Sequence, residues 1–139
     1  MTRDADATLR ALADEAAIRD LVRRYAHCVW QRDGAGAAAL FAEDGEMDTG
    51  DRPPLRGRAA IEAEYAKTFA VSPFRPFVHN HVIELAGDRA RGTAYLELRA
   101  EVDGREMEGY GWYEDAYVRT AAGWRFARRK LSLPHYAER

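Results

Sequence analysis

Two histidines stand two residues apart in the run Pro76-Phe77-Val78-His79-Asn80-His81-Val82. In a regular extended segment such residues point to the same face. Imidazole exchanges a proton near neutral pH, so the pair suits general base catalysis. A His-x-His pair also suits a metal ion, but no third ligand stands nearby in sequence to complete a set. A third reading is a pair of surface or interface histidines. Asn80 offers an amide for a substrate oxygen, an ordered water or a strand end. Tyr25 lies in a helical run and offers a phenol that polarises a carbonyl, or a core tyrosine satisfied by a neighbour. Among the acids, Asp33 reads as a helix cap and Asp44 as part of the turn phrase Phe41-Ala42-Glu43-Asp44. Asp48 is the carboxylate that burial would raise into the range of a general base. Tyr110, Trp112, Tyr113 and Tyr117 crowd one strand, with Tyr110 and Trp112 on one face and Tyr113 and Tyr117 on the other. Whichever set lines an interior suits a flat or aromatic ligand, although aromatics are common in any sheet. The chain has no Gly-rich phosphate loop, no Gly-x-Ser-x-Gly and no Cys-x-x-Cys, which argues against nucleotide binding, triad hydrolysis and thiol redox chemistry.

The elements that must position these groups follow from periodicity. Residues 1–12 read as a loose helical lead-in anchored by Leu9 and Leu12. From Asp14 to Trp30, residues Ile18, Leu21, Val22, Tyr25, Cys28 and Val29 recur at steps of three and four and share one stripe. Asp33-Gly34 breaks that helix, and residues 35–41 read as a second, short one ending near Ala42. Gly45 to Thr49 reads as a short strand with Met47 and Thr49 on one face and Glu46 and Asp48 on the other. Adjacent prolines make residues 50–57 a loop. A third helix spans Arg58 to Ala70, with Ile61, Tyr65, Thr68 and Phe69 on one side, and Ser72-Pro73 ends it. Four apolar runs between Pro76 and Leu133 are separated by the turn signals Ala86-Gly87-Asp88, Asp103-Gly104 and Ala122-Gly123. Such short links dictate an antiparallel meander. The last six residues read as a short tail. Three helices gathered on a curved antiparallel sheet make an α+β domain enclosing a cone, a natural small-molecule pocket.

The 139 residues fit one domain, core about 14–132, and carry a net charge of only −2. That balance gives no field for nucleic acid or an anionic membrane. No apolar run approaches the roughly 20 residues of a membrane span. One cysteine excludes an intrachain disulfide, and the charged start lacks an apolar leader, so the expected location is the cytoplasm.

Several phrases resemble the SnoaL-like family of the NTF2-like (cystatin-like) superfamily. They are AIRDLVRRYAHCVWQRD, ALFAEDGEMDTG, GRAAIEAEY, HNHVIELAGDRARGTAYLE and YEDAYVRTAAGWRFARR. The likeness implies a cone-shaped α+β fold. It extends to scytalone dehydratase-like and bile-acid 7α-dehydratase-like enzymes, which remove a proton and expel water without metal or cofactor. The Tyr on their first helix corresponds to Tyr25. Their Asp falls on Trp30, their His on Pro76, and a second pocket Tyr on Thr49. Neither Trp nor Pro is a general base. On the family frame Pro76, Val78, Asn80 and Val82 face the cone, while His79 and His81 face out with Ile83 and Leu85. A bulge near the strand start would reverse that register. The outward apolar face implies a homodimer or homotrimer.

Two functions follow. One is a cofactor-independent lyase or isomerase (dehydratase, isomerase or polyketide cyclase type) acting on a hydrophobic small molecule. Tyr25 would stabilise an oxyanion, and His79, His81 or Asp48 would be the base. Trp30, Met47, Thr49, Asn80, Tyr110 and Trp112 would be substrate contacts. The alternative is a non-catalytic small-molecule binder or accessory protein on the same fold.

Overall fold

In the computed structural model, which describes residues 2–139, helix α1 runs unbroken from Arg3 to Trp30. The expected lead-in is therefore its first turns, capped by the Thr2 hydroxyl accepting from the Ala5 amide; Met1 lies outside the described residues. The buried stripe is Asp14, Ile18, Leu21, Val22, Tyr25 and Val29, the apolar spacing anticipated plus one acid. Asp33 caps α2 (Gly34–Ala38) by accepting from the Gly36 amide at 2.8 Å. Strand β1 (Phe41–Asp48) begins four residues before the expected Gly45 and replaces the end of the expected second helix. Phe41 is buried in the core there, and the Phe126 amide bonds to the Leu40 carbonyl. Pairing with a distant strand overrides the helical preference of the alanine run. A two-residue β2 (Leu55–Arg56) and α3 (Arg58–Val71) follow.

Four long strands complete the chain: β3 (Phe74–Ala86), β4 (Arg89–Val102), β5 (Arg105–Thr120) and β6 (Gly123–Glu138). Asp103 and Gly104 both have positive φ, 52° and 76°, the signature of the two-residue turn that matches strand twist. The six strands lie in the order β2-β1-β6-β5-β4-β3. All neighbours are antiparallel except β1 and β6, which are parallel. The expected C-terminal tail is strand instead, with Met107 paired to Glu138. Pro134 fits because it sits where β6 carries an extra residue opposite Tyr110–Trp112, a place that needs no ladder amide.

A bulge decides the faces of β3. Val78 pairs with Leu96 and His81 with Ala94, so three steps on β3 match two on β4. Before it Pro76 and Val78 face the helices; after it His81, Ile83 and Leu85 do, packed against the core. Asn80 and Val82 are exposed on the other side, opposite to the family frame, and Ile83 and Leu85 are not on the outer face. Among the described residues no helix is long and apolar enough to cross a membrane.

Candidate active site in the cone

Between the inner sheet face and the helices lies a cavity of about 860 Å³. Tyr25 and Val29 of α1, Tyr65 and Phe69 of α3, Met47 of β1 and Thr49 just after it, and Phe74, Pro76, Leu98 and Tyr113 of the other strands line it. The hydroxyls of Tyr25 and Tyr65 are 2.7 Å apart. Both rings are buried, and Tyr113 stands edge-on to Tyr25 with centroids 6.0 Å apart. Burial and the neighbouring Tyr65 push the Tyr25 phenol well above its ordinary value, and burial does the same for Tyr65 and Tyr113. All three therefore stay protonated near neutral pH and act as hydrogen-bond donors.

Behind these rings sits a fully buried ion pair. Arg129 donates to Asp115 through Nε at 2.9 Å and through Nη2 at 3.1 Å. Its guanidinium carbon lies 3.6 Å from the Tyr113 ring centre, 4.4 Å from Phe126 and 4.5 Å from Tyr25. Burial alone would weaken the guanidinium's hold on its proton, but the Asp115 carboxylate outweighs it and keeps Arg129 charged. The Tyr117 hydroxyl donates to Asp115 at 2.9 Å, and His81 Nε2 meets that hydroxyl at 2.9 Å. Arg129 Nη1 has no hydrogen-bond partner among the described residues.

The sequence-derived residues divide clearly. Tyr25, Met47 and Thr49 line the cavity. Trp30 does not: its indole donates to the Pro76 carbonyl at 2.7 Å, and its ring stands edge-on to Phe77 at 5.4 Å. Asp48 points away, accepting from the Gly50 amide and from Arg128. Across the bulge His79 and His81 lose their common face. His79 is exposed, 3.6 Å from Glu97, and His81 is half-buried against Tyr117. Asn80 is exposed on the outer face. Tyr110 stacks on His135 outside, with Trp112 on the same outer face, so Tyr113 takes the lining position. Among the described residues no histidine lines the cavity; its carboxylates are Asp51 and Glu64. Glu64 accepts from Arg52 at 2.5 Å and from the Thr68 hydroxyl at 3.4 Å.

Sequence reasoning missed Tyr65 and the Asp115–Arg129 pair as site groups, and it named Tyr113 only within one of two alternative lining sets. The signal was present. Asp115 alternates with Tyr113 and Tyr117 on the buried face of a central strand, where a carboxylate must find a charged partner.

A curved, mostly antiparallel sheet with helices enclosing a phenol-floored cone defines an NTF2-like, cystatin-like fold. Within it, the chain belongs to the SnoaL-like domain family, which matches residues 10–130. Among solved structures, an NTF2-like protein from Novosphingobium aromaticivorans is 27% identical, with 96% of this chain and 90% of that chain aligned and a TM-score of 0.83. A Mycobacterium tuberculosis protein of unknown function is 26% identical over 89% of this chain and 78% of that one, TM-score 0.81. A hexachlorocyclohexane dehydrochlorinase from Novosphingobium barchaimii shares the fold at 18% identity, covering 95% and 94%, TM-score 0.86. No curated protein matches the chain.

Proposed function

We propose that the cone binds an oxygenated, largely apolar small molecule and catalyses a cofactor-independent elimination or isomerisation. The observation that carries this reading is the Tyr25–Tyr65 hydroxyl pair on an apolar cavity wall. Two protonated phenols in contact can turn together onto one substrate oxygen and stabilise the charge that develops there. In that reaction a base removes a proton beside the carbonyl, and the electron pair passes into an enolate held by the phenols. Either the base returns that proton to the far end of the extended enolate, which completes double-bond migration, or the electron pair expels a leaving group from the neighbouring carbon. Glu64 takes the acceptor role in this reading, because it is a lining carboxylate on the same helix as Tyr65, held by a surface arginine that can swing aside. Kinship in fold with a dehydrochlorinase agrees with elimination chemistry.

A second reading, non-catalytic binding, draws support from Trp30 and Pro76. They occupy the positions that the dehydratase resemblance gives to Asp and His, and they are joined to each other by a hydrogen bond.

One experiment separates the two. Aromatic and alicyclic ketones are screened for binding by calorimetry and for consumption by mass spectrometry. The enzyme reading expects turnover that falls about a hundredfold or more in Tyr25→Phe, the order of one lost oxyanion donor, and collapses in Glu64→Gln. Tight binding with no consumption by the unaltered protein would leave the binder reading, and no binding at all would overturn both.

A further inference from the structure

A chain of hydrogen bonds leads from the half-buried edge of β3 to the phenols of the cavity. His81 Nε2 meets the Tyr117 hydroxyl at 2.9 Å, that hydroxyl donates to Asp115, and Asp115 receives both Nε and Nη2 of Arg129. The guanidinium then lies on the rings of Tyr25 and Tyr113. Two independent features of the backbone make the chain possible. The bulge between Val78 and His81 turns the imidazole inward at a position where its apolar neighbours Val78 and Ile83 would otherwise continue the core. Gly92 leaves room for Tyr117 to cross β4: a Cβ there would lie 3.2 Å from the Tyr117 hydroxyl.

We propose that His81 is a positioning residue that ties solution pH to the cavity phenols through Tyr117, Asp115 and Arg129. This rests on the cone being the functional site. Tyr117 has one hydroxyl proton. While it serves Asp115, His81 must present Nε2–H, which fixes the imidazole tautomer. The charged groups around His81 are Arg19 of α1, itself paired with Glu15, Asp115 of β5 and Arg129 of β6. Its neighbour on β4, Ala94, carries none. A proton added at Nδ1 places a cation on the far end of the Tyr117 bond. That strengthens donation into Tyr117 and, through it, draws on the Asp115 carboxylate that holds the guanidinium against the rings.

The test needs no ligand. Nitrogen-15 imidazole signals and carbon-13 Cζ signals of Tyr25 and Tyr113 are followed from about pH 8 down to about pH 4, because burial holds His81 below the ordinary histidine range. His81 is expected as the Nε2–H tautomer, with both phenol signals stepping at its titration point. Tyr117→Phe should abolish the step while His81 still titrates; His81→Gln, which keeps a donor but cannot titrate, should also abolish it. Flat phenol signals in the unaltered protein, or a step that survives Tyr117→Phe, would overturn the proposal. Binding of acetophenone, which does not titrate in this range, then reads the consequence: its affinity should change about threefold across the same step, the order of one weakened hydrogen bond, and not in His81→Gln. Failure of acetophenone to bind the unaltered protein counts against the cone as a ligand site, while the ligand-free signals still decide the coupling.

Discussion

Replacing Asp115 by alanine strips the carboxylate from a fully buried pair. Three donors lose their acceptor at once: Arg129 Nε, Arg129 Nη2 and the Tyr117 hydroxyl. They join Nη1, which already has no partner among the described residues. The guanidinium cannot reach water, since the side chain is wholly inaccessible. Breaking a buried pair from one side costs about 3–5 kcal/mol. Against a total stability of about 5–15 kcal/mol, that is a large fraction. At about 3 °C per kcal/mol for a domain of this size, Tm should fall by about 9–15 °C. Urea unfolding followed by tryptophan fluorescence should show a lower midpoint at an unchanged slope. The companion variant, Asp115→Leu with Arg129→Met, should recover most of the loss, because it removes both charges and keeps the volume filled. A single variant losing under about 1 kcal/mol would refute the reasoning, since that is the scale of an exposed pair. So would a double variant no more stable than the single one.

Two further outcomes concern stability. Gly92→Ala would bring a methyl group to 2.6 Å from the Val82 carbonyl oxygen and 3.2 Å from the Tyr117 ring. The backbone of β3 must shift, so a loss of about 1–3 kcal/mol is expected in urea unfolding. Asp14 accepts two bonds from Arg119, at 2.9 and 2.8 Å, and one from the Trp124 indole at 3.1 Å. The Arg119 bonds hold its carboxyl below the ordinary carboxylate range, against the opposing effect of burial. A depressed folded-state value contributes stability above the unfolded value, and that stability is lost as pH falls through the folded one. Urea midpoints measured below about pH 4, where an unfolded aspartate gains its proton, should therefore drop less steeply in Asp14→Asn than in the unaltered chain.

The helices and the meander were legible because their signals are local. The stripe Ile18–Leu21–Val22–Tyr25 and the turn Asp103-Gly104 each fit within one or two turns of chain. The parallel pairing of β1 with β6 was not legible, because nothing in residues 41–48 names a partner some eighty positions away. Neither was the bulge at His79-Asn80. The alternation of β3 reads equally well in either register, and only the pairing with β4 decides it. Of the candidate site, Tyr25 could be placed from its stripe alone. Tyr65 also lay on a recognisable stripe, with Ile61 and Phe69. Its contact with Tyr25 depends on how α1 and α3 cross, which periodicity does not encode. Asp115 and Arg129 were hidden for a different reason: in a chain so rich in charge, two more ions on strands look like solvated side chains until both are found buried.

The single parallel pairing also imposes an order of events. The neighbour that β1 must lie beside, β6, is synthesised some eighty residues after it. Until that strand emerges, the first segment of the ladder has only the two residues of β2 to bond with. The wall carrying Met47 thus closes over the cavity only after the meander is complete, and the long loop this demands makes assembly slow relative to a purely local fold.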